Sequence, residues 1–205
     1  MADTIAADHP EAVSRAKAAL DAGGVIVVPT ETVYGLAVMP HDPDAVARMF
    51  AIKQRPATRN LPVMVAERSQ LDGLDVIVPE AADRLIASGL VPGPLTIALG
   101  FGDGARPAWL EGRDEMAFRI PDNAFMLALL RETGPLFVTS ANMHARDTQQ
   151  TIAEILPQLA FAPDLAVDGG TGKMVPSTLV NCAVDPPKVE REGVVPRDRI
   201  KELLA

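Results

Sequence analysis

Lys53 and Arg55 stand two residues apart, and Arg59 follows four beyond Arg55. A lysine point charge beside planar guanidinium forks suits phosphate oxygens. Residues 51–70 hold Lys53, Arg55, Arg59 and Arg68 against Glu67, a local charge of +3. A small basic island fits a compact anion, such as a nucleotide phosphate, better than a long nucleic-acid backbone. On charge alone it also reads as a solvated helix end. A second set, Thr139-Ser140-Ala141-Asn142, follows a predicted strand. Its Ser140 and Asn142 can hydrogen-bond phosphate or simply close a turn. Arg119 ends another predicted strand, where a guanidinium can pair with a carboxylate. The run Pro29-Thr30-Glu31-Thr32-Val33-Tyr34-Gly35 directly follows a buried strand. Its hydroxyls and carboxylate therefore emerge at the strand's carboxyl end, where α/β sheets commonly bind ligands. Pro92-Gly93-Pro94-Leu95-Thr96 reads as the rigid wall of a pocket, and Asp168-Gly169-Gly170, Ser177-Thr178 and Arg191 add further polar loop and strand ends.

Other patterns fail. Gly172-Lys173 lacks the first glycine and the hydroxyl residue of a Walker A loop, because 167 is Val and 174 is Met. Residues 100–105 loosely match a dinucleotide fingerprint, but Arg106-Pro107 follows where a helix is needed, so they read as a turn. His9, His41 and His144 lack metal-ligand spacing, Ser140 lacks the glycines of a nucleophile elbow, and no metal site is expected. The single cysteine, Cys182, rules out an intrachain disulfide framework and reads as a buried thiol in an apolar strand.

These groups need a scaffold. The 205 residues are 48% hydrophobic and 22% charged, ordinary for a globular chain. Aromatics are only 4%, so Val, Leu, Ile, Ala and Met must fill the core. The net charge of −8 argues against broad sequence-independent grip on nucleic acid. No secretory leader or membrane-length apolar run is visible, and a reducing cytoplasm is the expected compartment. Helical periodicity predicts helices over 10–22, 79–88, 122–132, 151–159 and 197–204, and one starting at Asp42-Pro43-Asp44. Strands are predicted over 24–28, 61–66, 95–101, 116–120, 136–139, 165–168, 177–182 and 188–191. The alternation indicates one α/β domain over 1–205 with a sheet covered by helices, its strand order open.

In order, PTETVYG, KxR, PGPLT, RIP, SAN, DGG, ST and the late Arg191-Glu192-Gly193 resemble the YrdC/TsaC family, the threonylcarbamoyl-AMP synthases, from about residue 10 to about 200. Its length resembles the single-domain type. The resemblance implies a twisted mixed α/β sheet flanked by helices around a deep, positively lined cavity. It implies an enzyme that joins L-threonine, bicarbonate and ATP, with Mg2+ on the phosphates, releases pyrophosphate, and passes its product to partners that modify adenosine 37 of ANN-decoding tRNAs. It places Lys53, Arg55, Arg59, Ser140, Asn142, Thr148 and Arg191 on ATP, and Thr32, Tyr34, Arg119 and Ser177 at threonine. Lys53, Arg55, Ser140 and Asn142 are the catalytic set. There are departures: Met143-His144-Ala145 after Asn142, Met64 near a usual histidine, Met174-Val175-Pro176 before Ser177, and Glu115 ahead of the RxP arginine, an acid unfavourable beside phosphates. These leave open a same-fold paralogue that binds nucleotide or double-stranded RNA without synthase activity. With this net charge, binding of tRNA or double-stranded RNA is expected to be weak and lost with salt.

Overall fold

The computed structural model describes every residue except 1, 55 and 57–59. Arg55 and Arg59, both expected at the phosphates, therefore lie outside the described residues. The described residues form ten strands and six α-helices: β1 (Asp3–Ala6), α1 (Ala12–Asp21), β2 (Ile26–Val28), β3 (Gly35–Val38), α2 (Pro43–Lys53), β4 (Val63–Met64), α3 (Glu80–Ala87), β5 (Leu95–Gly100), β6 (Glu115–Arg119), α4 (Ala124–Thr133), β7 (Leu136–Ser140), α5 (Ile152–Ile155), β8 (Leu165–Asp168), β9 (Thr178–Asn181), β10 (Lys188–Arg191) and α6 (Arg197–Leu204). All ten strands join one mixed sheet in the order β1-β8-β2-β3-β7-β4-β6-β5-β9-β10. None of the described helices is long and apolar enough to cross a membrane.

Strand alternation feeds two cores, one on each face. Val25, Val27, Leu36, Val38, Val63, Val65 and Phe137 point to one side, where Met49 and Ile52 of α2, Leu85 of α3 and Ile200 of α6 cover them. Ile26, Val28, Ala37, Met64 and Val138 point to the other, against Ala12, Ala16 and Leu20 of α1 and Met126, Leu129 and Leu130 of α4. Met64, at the histidine departure, is thus part of this second core.

Capping fixes the helix starts. Asp42 accepts the amides of Asp44 and Ala45, each at 3.0 Å, with Pro43 in the first turn. Asn123 accepts from the Met126 amide to open α4. Thr151 and Glu154 form a reciprocal capping box. The predicted helix over 151–159 is shorter than its pattern: α5 ends at Ile155, and the chain continues as a 3-10 turn through Pro157. Residues 100–105 open no helix, in keeping with the turn reading; Gly102 donates its amide to the Asp75 carbonyl.

Neighbouring strands in such sheets rotate by about 20–25° each, so twist accumulates over the four steps from β2 to β6. The two strands also run in opposite senses, through β2/β3, β3/β7, β7/β4 and β4/β6. Although a flat sheet would set their carboxyl ends on opposite edges, the Glu31–Arg119 ion pair joins the loop after β2 to the carboxyl end of β6.

Candidate active site: two charged ends joined by one loop

The first end forms where α2 stops. Gln54 takes a left-handed conformation (φ 50°) at the helix C-cap and turns the chain away, leaving Lys53 as the last helical residue. Lys53 is 3% exposed. Its ammonium donates to the carbonyl oxygens of Ser140 and Asn142, the latter at 2.6 Å, and lies 3.3 Å from Asn142 Oδ1. Ser140 Oγ donates to the same Oδ1 at 2.5 Å, and Asn142 Nδ2 donates to the Arg146 carbonyl. The His144 amide closes onto the Lys53 carbonyl at 2.8 Å. Lys53, Ser140 and Asn142, predicted from separate motifs, therefore form one polar cluster. The Lys53 charge stiffens the turn that presents Ser140 and Asn142, in addition to supplying positive potential. The altered residues 143–145 are tied back to α2 through that His144 bond.

The loop over 29–34 leads from this cluster to the second end. It leaves β2 and enters β3, whose Gly35 pairs with Ser140. A Cβ at Gly35 would sit 2.6 Å from Val138 Cγ1, so only glycine permits this approach. Ala141 donates its amide to the Tyr34 carbonyl at 2.8 Å. Inside the loop, Thr30 Oγ1 accepts the Thr32 amide, contacts Thr32 Oγ1 at 3.0 Å and donates to the Val33 carbonyl at 2.7 Å. Thr32 is fully buried. Tyr34 is expected at threonine; its hydroxyl instead accepts the Gly169 amide at 2.9 Å and donates to the Gly170 carbonyl at 2.6 Å, fastening the Asp168-Gly169-Gly170 turn. Burial pushes its phenol above the usual tyrosine range; the Gly169 bond opposes this, and Asp168 reinforces it.

At the second end, Arg119 is 5% exposed at the end of β6. Its Nε donates to the Gly93 carbonyl at 3.1 Å, which gives the PGPLT turn its part in the site. Its Nη2 lies 2.5 Å from Glu31 Oε1, an ion pair whose side chains are 6% and 17% exposed. Ser177 Oγ meets Thr96 Oγ1 at 2.7 Å. Arg191 clasps the Ser177 carbonyl from Nε and Nη2, at 3.1 and 2.9 Å, and reaches Ser177 Oγ at 3.2 Å. Burial first, then the like charge of Arg119, lowers the Arg191 guanidinium below its usual range. Two cations that repel each other favour an anion between them. Arg191, expected on the nucleotide, thus stands beside Arg119 and Ser177. A Cβ on Gly193 would overlap the Pro176 carbonyl, so glycine lets the segment after β10 lie against Ser177.

The segment over 172–176 spans the middle. The Lys173 amide reaches the Thr32 carbonyl at 2.9 Å, and Thr148 Oγ1 donates to the Met174 carbonyl at 3.3 Å. Met174 and Val175 are 51% and 49% exposed. Glu115 does not approach this region: four residues before Arg119 on β6, it accepts from Asn181 Nδ2 at 2.7 Å. The concern about an acid beside phosphates therefore falls away. Sequence reasoning missed Glu31 as a partner of Arg119, Thr30 as the brace of Thr32, and Thr96 as the partner of Ser177. All three lie inside quoted motifs, but nothing in their spacing names partners as far as 88 residues away. Among the described residues no group of three acidic, histidine or cysteine side chains could hold a metal ion.

The twisted mixed sheet is the architecture of a known family. The Sua5_yciO_yrdC family model, described as "Telomere recombination", matches residues 18–193, and the chain belongs to that family. It is 34% identical to a threonylcarbamoyl-AMP synthase of Bacillus subtilis over 205 residues, 98% of this chain and 59% of that protein. A threonylcarbamoyl-AMP synthase of Xanthomonas axonopodis is 36% identical, with 97% of this chain and all of the relative covered. The chain thus spans 59% of the Bacillus relative and 54% of one from Pyrococcus abyssi. Among solved structures, Pyrococcus abyssi Sua5 complexed with L-threonine superposes with a TM-score of 0.88 at 28% identity, covering all of this chain and 61% of that one. Escherichia coli YciO gives 0.84 at 30% identity, with 98% of both chains covered.

Proposed function

We propose that this chain makes threonylcarbamoyl-AMP and pyrophosphate from L-threonine, bicarbonate and ATP. One observation carries the reading: a single braced loop links a Lys53–Ser140–Asn142 cluster to an Arg119–Arg191–Ser177 cluster, so a nucleotide and an amino acid can lie end to end. The names of the synthase relatives and the threonine complex of the Pyrococcus protein support it.

In this reading Ser140, Asn142 and Thr148 face the nucleotide, with Lys53, Arg55 and Arg59 supplying positive charge. Arg119 holds the threonine carboxylate, Ser177 lines the same end, and Thr32 packs beside the substrate. Tyr34 buttresses the loop. Arg191 stands where the two substrates meet. Threonine nitrogen bonds to the carbon of bicarbonate to give a carbamate with loss of water and a proton. A carbamate oxygen then attacks the α-phosphorus of ATP, and pyrophosphate leaves in line. The barrier falls through alignment and neutralised phosphate charge. Magnesium bound with ATP would offset phosphate charge alongside Lys53. The cytoplasm suits a chain with a buried free thiol and these substrates. Proteins that transfer threonylcarbamoyl to tRNA are the proposed consumers of the product.

A second reading, a nucleotide-binding paralogue without synthesis, draws on the exposed Met174 and Val175 where the family pattern departs. Pyrophosphate release decides between them. The synthase requires threonine and bicarbonate together; release without either, or with any amino acid equally, contradicts it.

A further inference from the structure

Glu31 is the one member of the loop whose bonding is incomplete. Its Oε1 meets Arg119 at 2.5 Å, while its Oε2 is buried and has no hydrogen-bond partner. Thr30 and Thr32, on either side, brace the backbone through the Thr30 hydroxyl, so the carboxylate is carried on a stiff support. A carboxylate oxygen withdrawn from water and left without a donor is costly. It is a ready acceptor for a cationic donor entering this end of the site.

We propose that Glu31 is the specificity residue that holds the α-ammonium of the amino-acid substrate, an inference that rests on the synthase reading above. The carboxylate and ammonium of an α-amino acid are two bonds apart. They match a guanidinium and a carboxylate whose heads already touch. Without Glu31, Lys53, Arg119 and Arg191 would make both ends of the site cationic, and phosphate oxygens could settle at either. With it, the Arg119 end selects a zwitterion, and the triphosphate is left to the Lys53 end.

The test is calorimetric binding of L-threonine, of 3-hydroxybutyrate (threonine lacking the amine) and of ATP to the wild type and to Glu31→Gln. Glutamine keeps an acceptor for Arg119, so the fold is retained, and ATP affinity reports on that directly. Wild-type protein is expected to bind threonine at least tenfold more tightly than 3-hydroxybutyrate. In Glu31→Gln, threonine weakens by about 10–100-fold, the loss of one charge-assisted contact. There, 3-hydroxybutyrate tightens as Arg119 is released, and ATP stays within about twofold. Tighter threonine binding in the variant would make Glu31 a competitor for Arg119 and overturn the proposal. Equal shifts for threonine and 3-hydroxybutyrate, a collapse of ATP binding, or a wild type blind to the amine would overturn it also. If wild-type protein binds no threonine, the synthase reading falls with it. If threonine binding needs Arg119 but is indifferent to Glu31→Gln, only the Glu31 proposal falls.

Discussion

Lys53 and Arg119 are both buried cations, yet their partners give them different work. Lys53 is held by the carbonyls of a turn, so its removal loosens Ser140 and Asn142 together. Lys53→Ala is expected to raise KM for ATP by at least tenfold and to lower thermal stability, with KM for threonine little changed; steady-state kinetics and a melting curve read both. Arg119 is fixed by the Gly93 carbonyl and one oxygen of Glu31, which leaves part of its guanidinium able to turn to a substrate carboxylate. Arg119→Ala is expected to cost threonine about 1.5–3 kcal/mol of binding, read by calorimetry, while ATP affinity holds. The residue types were legible because phosphate and carboxylate recognition need cations and hydroxyls. Arg119 could be picked out for that reason, whereas Ser177 was placed by the resemblance. The pairing of Glu31 with Arg119 was not legible, because a contact across the sheet leaves no mark in local spacing. Arg191, which the resemblance placed on ATP, bonds Ser177 across the β9/β10 pair.

Among elements, helices with a full apolar period were legible, capped or not. The run from Asp42 to Lys53 carries its own start signal, and α4 and α6 follow their apolar stripes. β1 was not foreseen: only Ile5 of its four residues is buried, so no alternation shows. β3 was not foreseen either, because all four residues are buried and the strand begins inside the PTETVYG motif. That strand places Gly35 against Ser140, so the missed element joins the two ends of the site. Gly35→Ala crowds the Val138 side chain on β7, two residues before Ser140, and a loss of about 1–3 kcal/mol in denaturant unfolding is expected. Activity should fall by more than the folded fraction does, because Ser140 moves too. Thr151→Ala removes a capping box and should cost about 1 kcal/mol, leaving KM for both substrates unchanged.

At the scale of the molecule, the strand order sets which loops can meet. Strand order could not be read from alternating elements, so neither could the contact between the loop after β2 and the end of β6. The folded state also holds two groups neutral that the unfolded chain would ionise sooner. Burial pushes Cys182 up to about 11 and raises Tyr34. The unfolded chain therefore releases these protons at lower pH, and stability falls as pH rises from the ordinary thiol range toward 11. Melting temperatures taken from neutral to alkaline pH should decline along that interval, and Cys182→Ala should flatten the slope. At pH 8 the native thiol should resist alkylating reagents and react only after unfolding.

The two-ended site is tested most directly by titrating L-threonine and ATP, singly and then together, into wild-type protein, Arg119→Ala and Asn142→Ala. Arg119→Ala should lose threonine and keep ATP, Asn142→Ala should lose ATP and keep threonine, and wild-type protein should bind both at once. If either variant loses both ligands equally, or if the two ligands exclude each other on the wild type, the hydroxyls and cations do not line one continuous path from amino acid to nucleotide.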